Sequence, residues 1–343
     1  MTRVRGWAVR PPRPHGVDEG SVVTIFRVPP EVSGQRMDVF VQSQLHRTSR
    51  TRAQAIVRAS AYDGSGRKLV PNDRVRPEQE ILLWRAPWDE TPVPLDVPVV
   101  YEDEHLLAVD KPAMLPVHPT ARYHKNTLIK LLQVERPDAA FLSLGHRLDR
   151  ETSGVMIVSK SRACDRALKK QLQARADVEK SYIALTWGVP DRGDGARSFR
   201  LVRHMELDRD SALRVKMKIS DAPEALYAAT GFEVVEVRRR RASGASYALV
   251  RCTLETGRQH QIRLHLASLG TAVVGDKLYG PDETAFARGA DGELTPDDVV
   301  RLELPRHALH AARLALPHPI TGAPLVLEAP LPSDIADFWE SLL

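Results

Sequence analysis

Cysteine is nearly absent: the 343-residue chain holds Cys164 and Cys252 and no other. They form no C-x-x-C pair and no metal-ligand spacing. The sequence therefore offers neither a disulfide framework nor a metal centre, and two reduced thiols in a cytoplasmic protein are expected. Aromatic residues make up 6% of the chain, too few for an extended platform that stacks single-stranded bases. No Gly-rich dinucleotide or phosphate loop occurs, so no cofactor is expected. No apolar run approaches the roughly 18 residues of a membrane-spanning helix. The Arg- and Pro-rich start lacks the apolar stretch of a secretory signal. No internal repeat is visible.

What is present is an ordinary core composition, 43% hydrophobic, with a net charge of +5. That mild basicity suggests a polyanionic partner. The length allows two domains at about 100–200 residues each. Residues 1–21 read as a flexible basic arm, without periodicity. Residues 22–86 read as a small α/β domain. Met37, Phe40 and Val41 recur at helical spacing. A second helix over 49–58 turns Ala53, Ile56 and Val57 to one side and Arg50, Arg52 and Arg58 to the other. Short strands should follow, ending in Ile81–Trp84. Residues 87–98 have the Pro-rich composition of a stiff linker.

Residues 99–343 form the larger expected domain. Strands fit 99–101 and 106–109, and Asn126 is placed to N-cap a helix through Leu132. A helix over 161–178 should turn Ala163, Leu168 and Leu172 inward and Arg166, Lys169 and Lys170 outward. Lys180–Gly188 alternates like a strand and carries Tyr182. Residues 189–225 are a densely charged insert with no functional reading. Further strands fit 228–235 and 247–250, with Arg238–Arg241 as a solvated hairpin end between them. Residues 281–300 read as a loop insertion, and His310 as a buried, hydrogen-bonded histidine.

The chemistry concentrates in His146-Arg147-Leu148-Asp149-Arg150-Glu151-Thr152-Ser153-Gly154. Asp149 stands between two arginines, and nearby positive charge keeps a carboxylate ionised. That suits a nucleophile or a general base, not a general acid. Gly154 suits a tight turn, and Val155–Val158 is short enough to be a buried strand. This nonamer resembles the catalytic loop of the RluA-type RNA pseudouridine synthases, H-R-L-D-x-x-T-S-G, at every fixed position. Five further segments resemble the same family. They are Asp110-Lys111-Pro112 through His118-Pro119, with Ala113-Met114 where a small residue and glycine are usual; the Lys180–Gly188 strand; Thr256-Gly257-Arg258-Gln259-His260-Gln261-Ile262-Arg263-Leu264-His265; and Gly275-Asp276-Lys277-Leu278-Tyr279-Gly280, with Arg306–Ala311 beyond it. A helix from about Gln259 to Leu269 would bury Ile262, Leu266 and Leu269. Arg263, beside that face, could reach inward to Asp149. The 22–86 region resembles the S4 RNA-binding module, with Arg47, Arg50, Arg52, Arg58, Arg67 and Lys68 toward phosphate.

The resemblance implies an α+β fold: a mixed, mainly antiparallel, bent central sheet with an active-site cleft, beside the small S4-like domain. It implies Asp149, Tyr182 and Arg263 as catalytic residues and Arg147, Arg150, Arg258 and His260 as RNA contacts, with no metal. It also implies uridine isomerisation in RNA, ribosomal large-subunit RNA before transfer RNA, by a monomer. Two other readings stay open: a catalytically inactive RNA-binding or assembly factor, and, more weakly, a glycosidase, which would need a second acid beside Asp149.

Overall fold

The computed structural model describes residues 11–45, 48–86, 90–120, 122–175, 177–291 and 293–343. Arg47, the first ten residues of the basic arm and residues 87–89 of the linker lie outside the described residues. The chain divides into two compact units, Met1–Glu90 and Thr91–Leu343.

In the first unit, strands β1 (Val22–Arg27), β2 (Ala61–Asp63) and β3 (Glu80–Arg85) form an antiparallel sheet in the order β1-β3-β2. Helices α1 (Met37–Gln44) and α2 (Arg50–Ser60) pack on it. Met37, Phe40 and Val41 meet Ala53, Val57, Ile81 and Leu83 in one core. Asp38 lies buried beneath this pair. It accepts hydrogen bonds from Arg36 (2.9 Å), Arg50 (3.3 Å) and Gln54 (2.8 Å). Those bonds, Arg36's first, hold its carboxyl well below the usual range. Ser49 caps α2 by accepting from the Arg52 amide (3.2 Å). Residues 11–21 contain two turns, and Pro14 is buried.

The second unit is built on a ten-stranded sheet. Its strands are β4 (Val99–Glu102), β5 (Leu106–Lys111), β6 (Ser143–Leu144), β7 (Ser153–Ser159), β8 (Glu179–Trp187), β9 (Ser198–Val202), β12 (Ala229–Arg239), β13 (Ser246–Leu254), β14 (Leu309–Pro317) and β15 (Pro324–Glu328). The short hairpin β10 (Met205–Leu207) and β11 (Met217–Ile219) stands apart from them. The order is β4-β5-β7-β14-β8-β13-β12-β9, with β15 on β14 and β6 on β7. Every pairing is antiparallel except β7 with β14. The sheet is thus mixed and mainly antiparallel.

Strand β7 is buried at every position. Val155 and Ile157 pack with Cys164 and Leu168 of α4 (Arg162–Ala174), while Met156 and Val158 enter the main core with Leu107 and Tyr182. The period-two alternation thus divides one apolar run between two cores. Gly154 is not a turn residue. It lies in β7 with φ 109°, and a Cβ there would collide with the Ala311 backbone across the parallel pair. Close approach of two strands demands the glycine.

Several local expectations are corrected. Helix α4 ends at Ala174 because Arg175 turns left-handed (φ 60°). Cys164 takes the inward position expected of Ala163, which is exposed, because the Ser161 cap on the Cys164 amide fixes the helix phase. Asn126 does not cap α3 (Leu128–Glu135). Thr127 holds that position, and the Asn126 amide donates to the Thr91 carbonyl (3.1 Å). Helix α5 is shorter than expected, Gln261–Ala267, and Leu269 is only half-buried. Residues 281–300 are not a loop. They contain α6 (Thr284–Asp291) and α7 (Pro296–Leu302), the latter opened by a Thr295–Asp298 capping box with Pro296 in the first turn. Arg288 ties the two by gripping Asp298 (2.7 and 2.6 Å). The 189–225 insert supplies the edge strand β9 and the β10–β11 hairpin, whose Met205 and Met217 pack on Ala228 and Leu264. The arginine run is not simply solvated. Arg238 donates to the Trp339 carbonyl of α8 (Ser333–Glu340) at 3.0 Å, and Arg240 meets the Tyr247 hydroxyl and Glu303, each at 3.1 Å. Among the described residues, no helix is long and apolar enough to cross a membrane.

Candidate active site

Asp149 stands on the loop leading into β7, after the buried Leu148, and its carbonyl closes a turn with the Thr152 amide (3.2 Å). The facing side comes from the start of α5. Gln261 anchors that helix by donating to the Ala229 carbonyl (2.9 Å) and the Thr230 hydroxyl (2.9 Å), and by accepting from Thr256 (2.7 Å) and the Arg258 amide (3.0 Å). One position before it, His260 adopts φ 57°. This geometry carries Arg263 inward, where it is buried.

Arg263 is held between two carboxylates. Nη1 donates to Asp149 Oδ2 (2.9 Å), while Nε and Nη2 grip Asp276 (2.6 and 2.8 Å). Asp276, fully buried, also accepts the amides of Leu278 (2.8 Å) and Tyr279 (3.0 Å). A guanidinium forked on one carboxylate and bonded to a second is held in one orientation. Asp149 keeps 26% of its side-chain exposure, so its carboxylate still faces an opening. Burial alone would raise its pKa. The charge of Arg263 outweighs burial and holds it below the ordinary value. Asp276 is likewise lowered, to about 2, with Arg263 outweighing the burial.

The sequence neighbours of Asp149 are not what holds it ionised. Arg147 is exposed. Arg150 turns to the Tyr123 hydroxyl (3.0 Å) and to Glu151 (3.4 Å). The cation that acts on Asp149 lies 114 residues away along the chain. Tyr182 is buried on β8, and burial first, then the Asp149 charge, raises its phenol above the usual range. That phenol is protonated at neutral pH. His260 lies with Nε2 3.8 Å from Asp149 Oδ2. Arg258, half-buried, spends its Nε on the Tyr227 carbonyl (3.1 Å). Arg50, Arg52 and Arg58 belong to the other unit, Arg52 and Arg58 being exposed and Arg50 linked to Asp38.

Sequence reasoning missed a second ring of charged groups. Glu151 accepts from Lys277 (2.9 Å) and lies 3.4 Å from His307 Nδ1, while His307 Nε2 meets Thr152 Oγ1 (2.7 Å). Lys111, buried, donates to the carbonyls of Pro112 (2.8 Å), Leu115 (2.9 Å) and Arg150 (3.2 Å), pinning the loop that carries Asp149. Burial and the Arg306 charge bring its ammonium down to about 7. The signal for Asp276 and Lys277 was the Gly275–Gly280 segment, which reads as structural until Arg263 is seen to end there. Among the described residues, no group of three or more His, Cys, Asp or Glu side chains is placed to hold a metal.

The arrangement is one ionised carboxylate at an opening, fixed by a buried arginine, beside a buried tyrosine. The family described as RNA pseudouridylate synthase matches residues 105–268, which include Asp149, Tyr182 and Arg263. The chain is 36% identical over 313 residues to the ribosomal large subunit pseudouridine synthase D of Pseudomonas aeruginosa, covering 90% of this chain and 92% of that protein. It is 34% identical over 322 residues to the protein of the same name from Xanthomonas campestris, covering 92% and 91%. A solved structure of human RNA pseudouridylate synthase domain containing 1 shares the fold, with a TM-score of 0.56 over 74% of this chain and 90% of that one at 22% identity. The chain belongs to the RNA pseudouridine synthases, enzymes that isomerise uridine to pseudouridine within RNA.

Proposed function

We propose that the chain converts specific uridines of large-subunit ribosomal RNA, with Asp149 as the essential catalyst. The observation that carries this reading is the Asp149–Arg263–Asp276 clamp, which keeps one carboxylate ionised and aimed at an opening. The reaction breaks the C1′–N1 bond, turns the uracil and forms a C1′–C5 bond; the C5 hydrogen leaves as a proton and N1 takes one up, so the product is an isomer of the substrate. No electrons are exchanged with a donor. Ionised Asp149 serves either by attacking C1′ or by taking the 2′ proton. Arg263 orients it. Tyr182 offers an aromatic face to the extruded base. Its raised pKa keeps the phenol protonated at neutral pH, which leaves stacking as the role it is ready for. Arg147, Arg150, Arg258 and His260 line the approach to the RNA. The nucleotide must leave its stack, at a cost of a few kcal/mol, which phosphate contacts offset. Residues 22–86 act as an S4-like RNA-binding module through α2, joined by the linker to a catalytic domain over 99–343. The chain works as a cytoplasmic monomer.

The names of the relatives from Pseudomonas aeruginosa and Xanthomonas campestris favour ribosomal over transfer RNA. Pseudouridine mapping of total RNA, from cells with and without the gene and complemented with wild type or Asp149→Ala, tests the reading. One or a few large-subunit sites should lose pseudouridine on deletion and regain it with wild type alone. Full restoration by Asp149→Ala would show that Asp149 is not the catalyst. Sites confined to transfer RNA would reassign the substrate.

A further inference from the structure

His260 lies between the Asp149 carboxylate and the Tyr279 hydroxyl. Its Nδ1 is 3.0 Å from the Tyr279 oxygen and its Nε2 is 3.8 Å from Asp149 Oδ2. The Tyr279 oxygen already accepts the Met217 amide of the β10–β11 hairpin (2.9 Å). Among the described residues, the acceptor within reach of the Tyr279 proton is His260 Nδ1. An imidazole nitrogen that accepts carries no hydrogen, so the hydrogen of neutral His260 sits on Nε2, the side facing Asp149. We propose that His260 is a neutral N–H donor to the Oδ2 edge of Asp149 in the RNA-loaded site, and that Tyr279 is the positioning residue that fixes this tautomer.

The proposal rests on Asp149 being the catalyst. Arg263 and His260 then both address Oδ2, while Oδ1 accepts nothing among the described side chains and is the oxygen left for the ribose. The 3.8 Å gap is too long for a hydrogen bond in the free enzyme, and such contacts tighten when substrate closes the site. Neutrality has its own support. Burial and the Arg263 charge bring the imidazole down to about 4, although Asp149 and Asp276 pull the other way. The β10–β11 hairpin, part of the insert that had no functional reading, thereby gains a route to the reacting carboxylate: Met217, Tyr279, His260, Asp149.

Two substitutions separate donation from backbone fit. His260→Gln keeps an amide N–H near the Nε2 position. His260→Asn puts its amide near Nδ1 instead, but suits the left-handed backbone better. On unmodified large-subunit ribosomal RNA from the deletion strain, His260→Gln should stay within about tenfold of wild-type kcat, while His260→Asn and His260→Ala fall about a hundredfold. Any change in KM for RNA should be smaller than the change in kcat and similar for the glutamine and asparagine variants. Tyr279→Phe keeps the ring that lies 5.2 Å over the Arg263 guanidinium, so it should lower kcat about tenfold without moving KM. An asparagine variant as active as the glutamine variant overturns the proposal and leaves His260 a backbone role. Long-range ¹H–¹⁵N spectra of the wild-type protein decide the tautomer even if a variant fails to fold. An Nε2–H form, lost to exchange in Tyr279→Phe, is expected, and an Nδ1–H form refutes it. Activity of Asp149→Ala on the same RNA would instead remove the underlying reading, whatever the spectra show.

Discussion

The two units carry positive charge in opposite ways. In the larger one, Arg263 keeps 5% of its side-chain exposure and is locked to two carboxylates at 2.6–2.9 Å. In the smaller one, Arg52 and Arg58 stand exposed on α2, and Arg50 keeps 55% exposure with one link to Asp38. A buried guanidinium is dehydrated, directional and dependent on its partners. An exposed one is hydrated, mobile and screened by salt. The first can fix a reacting group to a fraction of an ångström. The second can follow a phosphate backbone without reading it. Catalysis and affinity are therefore expected to fail separately when each kind of charge is removed.

The sharpest break is Asp149→Asn. It keeps shape and removes charge, so kcat should fall at least about a thousandfold while RNA affinity stays within about threefold of wild type. Single-turnover kinetics alongside filter binding measure both. Equal losses of rate and affinity would mean that the separation is false. Asp276→Asn comes next. It leaves Arg263 with one charged partner where it had two, and removing one side of a buried pair costs about 3–5 kcal/mol. Urea denaturation should register that loss, whereas alanine at Arg52 should leave the midpoint unmoved.

The Asp149–Arg263 pairing was legible because each residue sits in a motif dense enough to name its role. The purely local reading of the Asp149 charge failed: it credited the flanking arginines, where the resemblance already offered Arg263. Local sequence put two arginines beside it, yet Arg147 is exposed and Arg150, inside the turn closed by Thr152, serves Tyr123 and Glu151. Asp276 was missed for the same reason: a bidentate partner 13 residues from Arg263 is a fact of tertiary contact, invisible to periodicity. Gly154 looked like a turn because its demand comes from Ala311, on a strand paired in parallel far along the chain. The helices of 281–300 could have been read. Thr295-Pro296-Asp297-Asp298 is a capping signature, but the polar faces hid the apolar period.

Acid should affect the two units unequally. His260 and His265 in the larger unit are each brought down to about 4, chiefly by burial. Between about 4 and the ordinary histidine value the unfolded chain binds more protons, so stability there rises with pH. Lowering the pH from 7 to 4 should therefore weaken the larger unit, by at most about 3 kcal/mol per histidine. Asp276 works at lower pH. Its contribution is complete above the unfolded carboxylate value of about 3.9 and is lost as pH falls toward about 2. Tryptophan fluorescence and amide exchange, followed by unit, should show the larger unit loosening first between pH 6 and 4. In the smaller unit, Asp38 is held so far below the usual range that it stays charged throughout that window.

The smallest expected effect belongs to the exposed arginines. Arg52→Ala with Arg58→Ala should leave melting temperature and single-turnover kcat unchanged, because neither side chain is buried. Each lost phosphate contact releases about one fewer counterion, so the slope of log affinity against log salt should become shallower by about 0.7–0.9 per arginine. The weakening should be similar for cognate and unrelated RNA, since such contacts carry no sequence information. A drop confined to cognate RNA would make α2 a reader of sequence or shape. An unchanged salt slope would mean that α2 does not touch the RNA, and the charge supporting affinity would then have to lie in the larger unit, on groups such as Arg147 that the buried network leaves exposed.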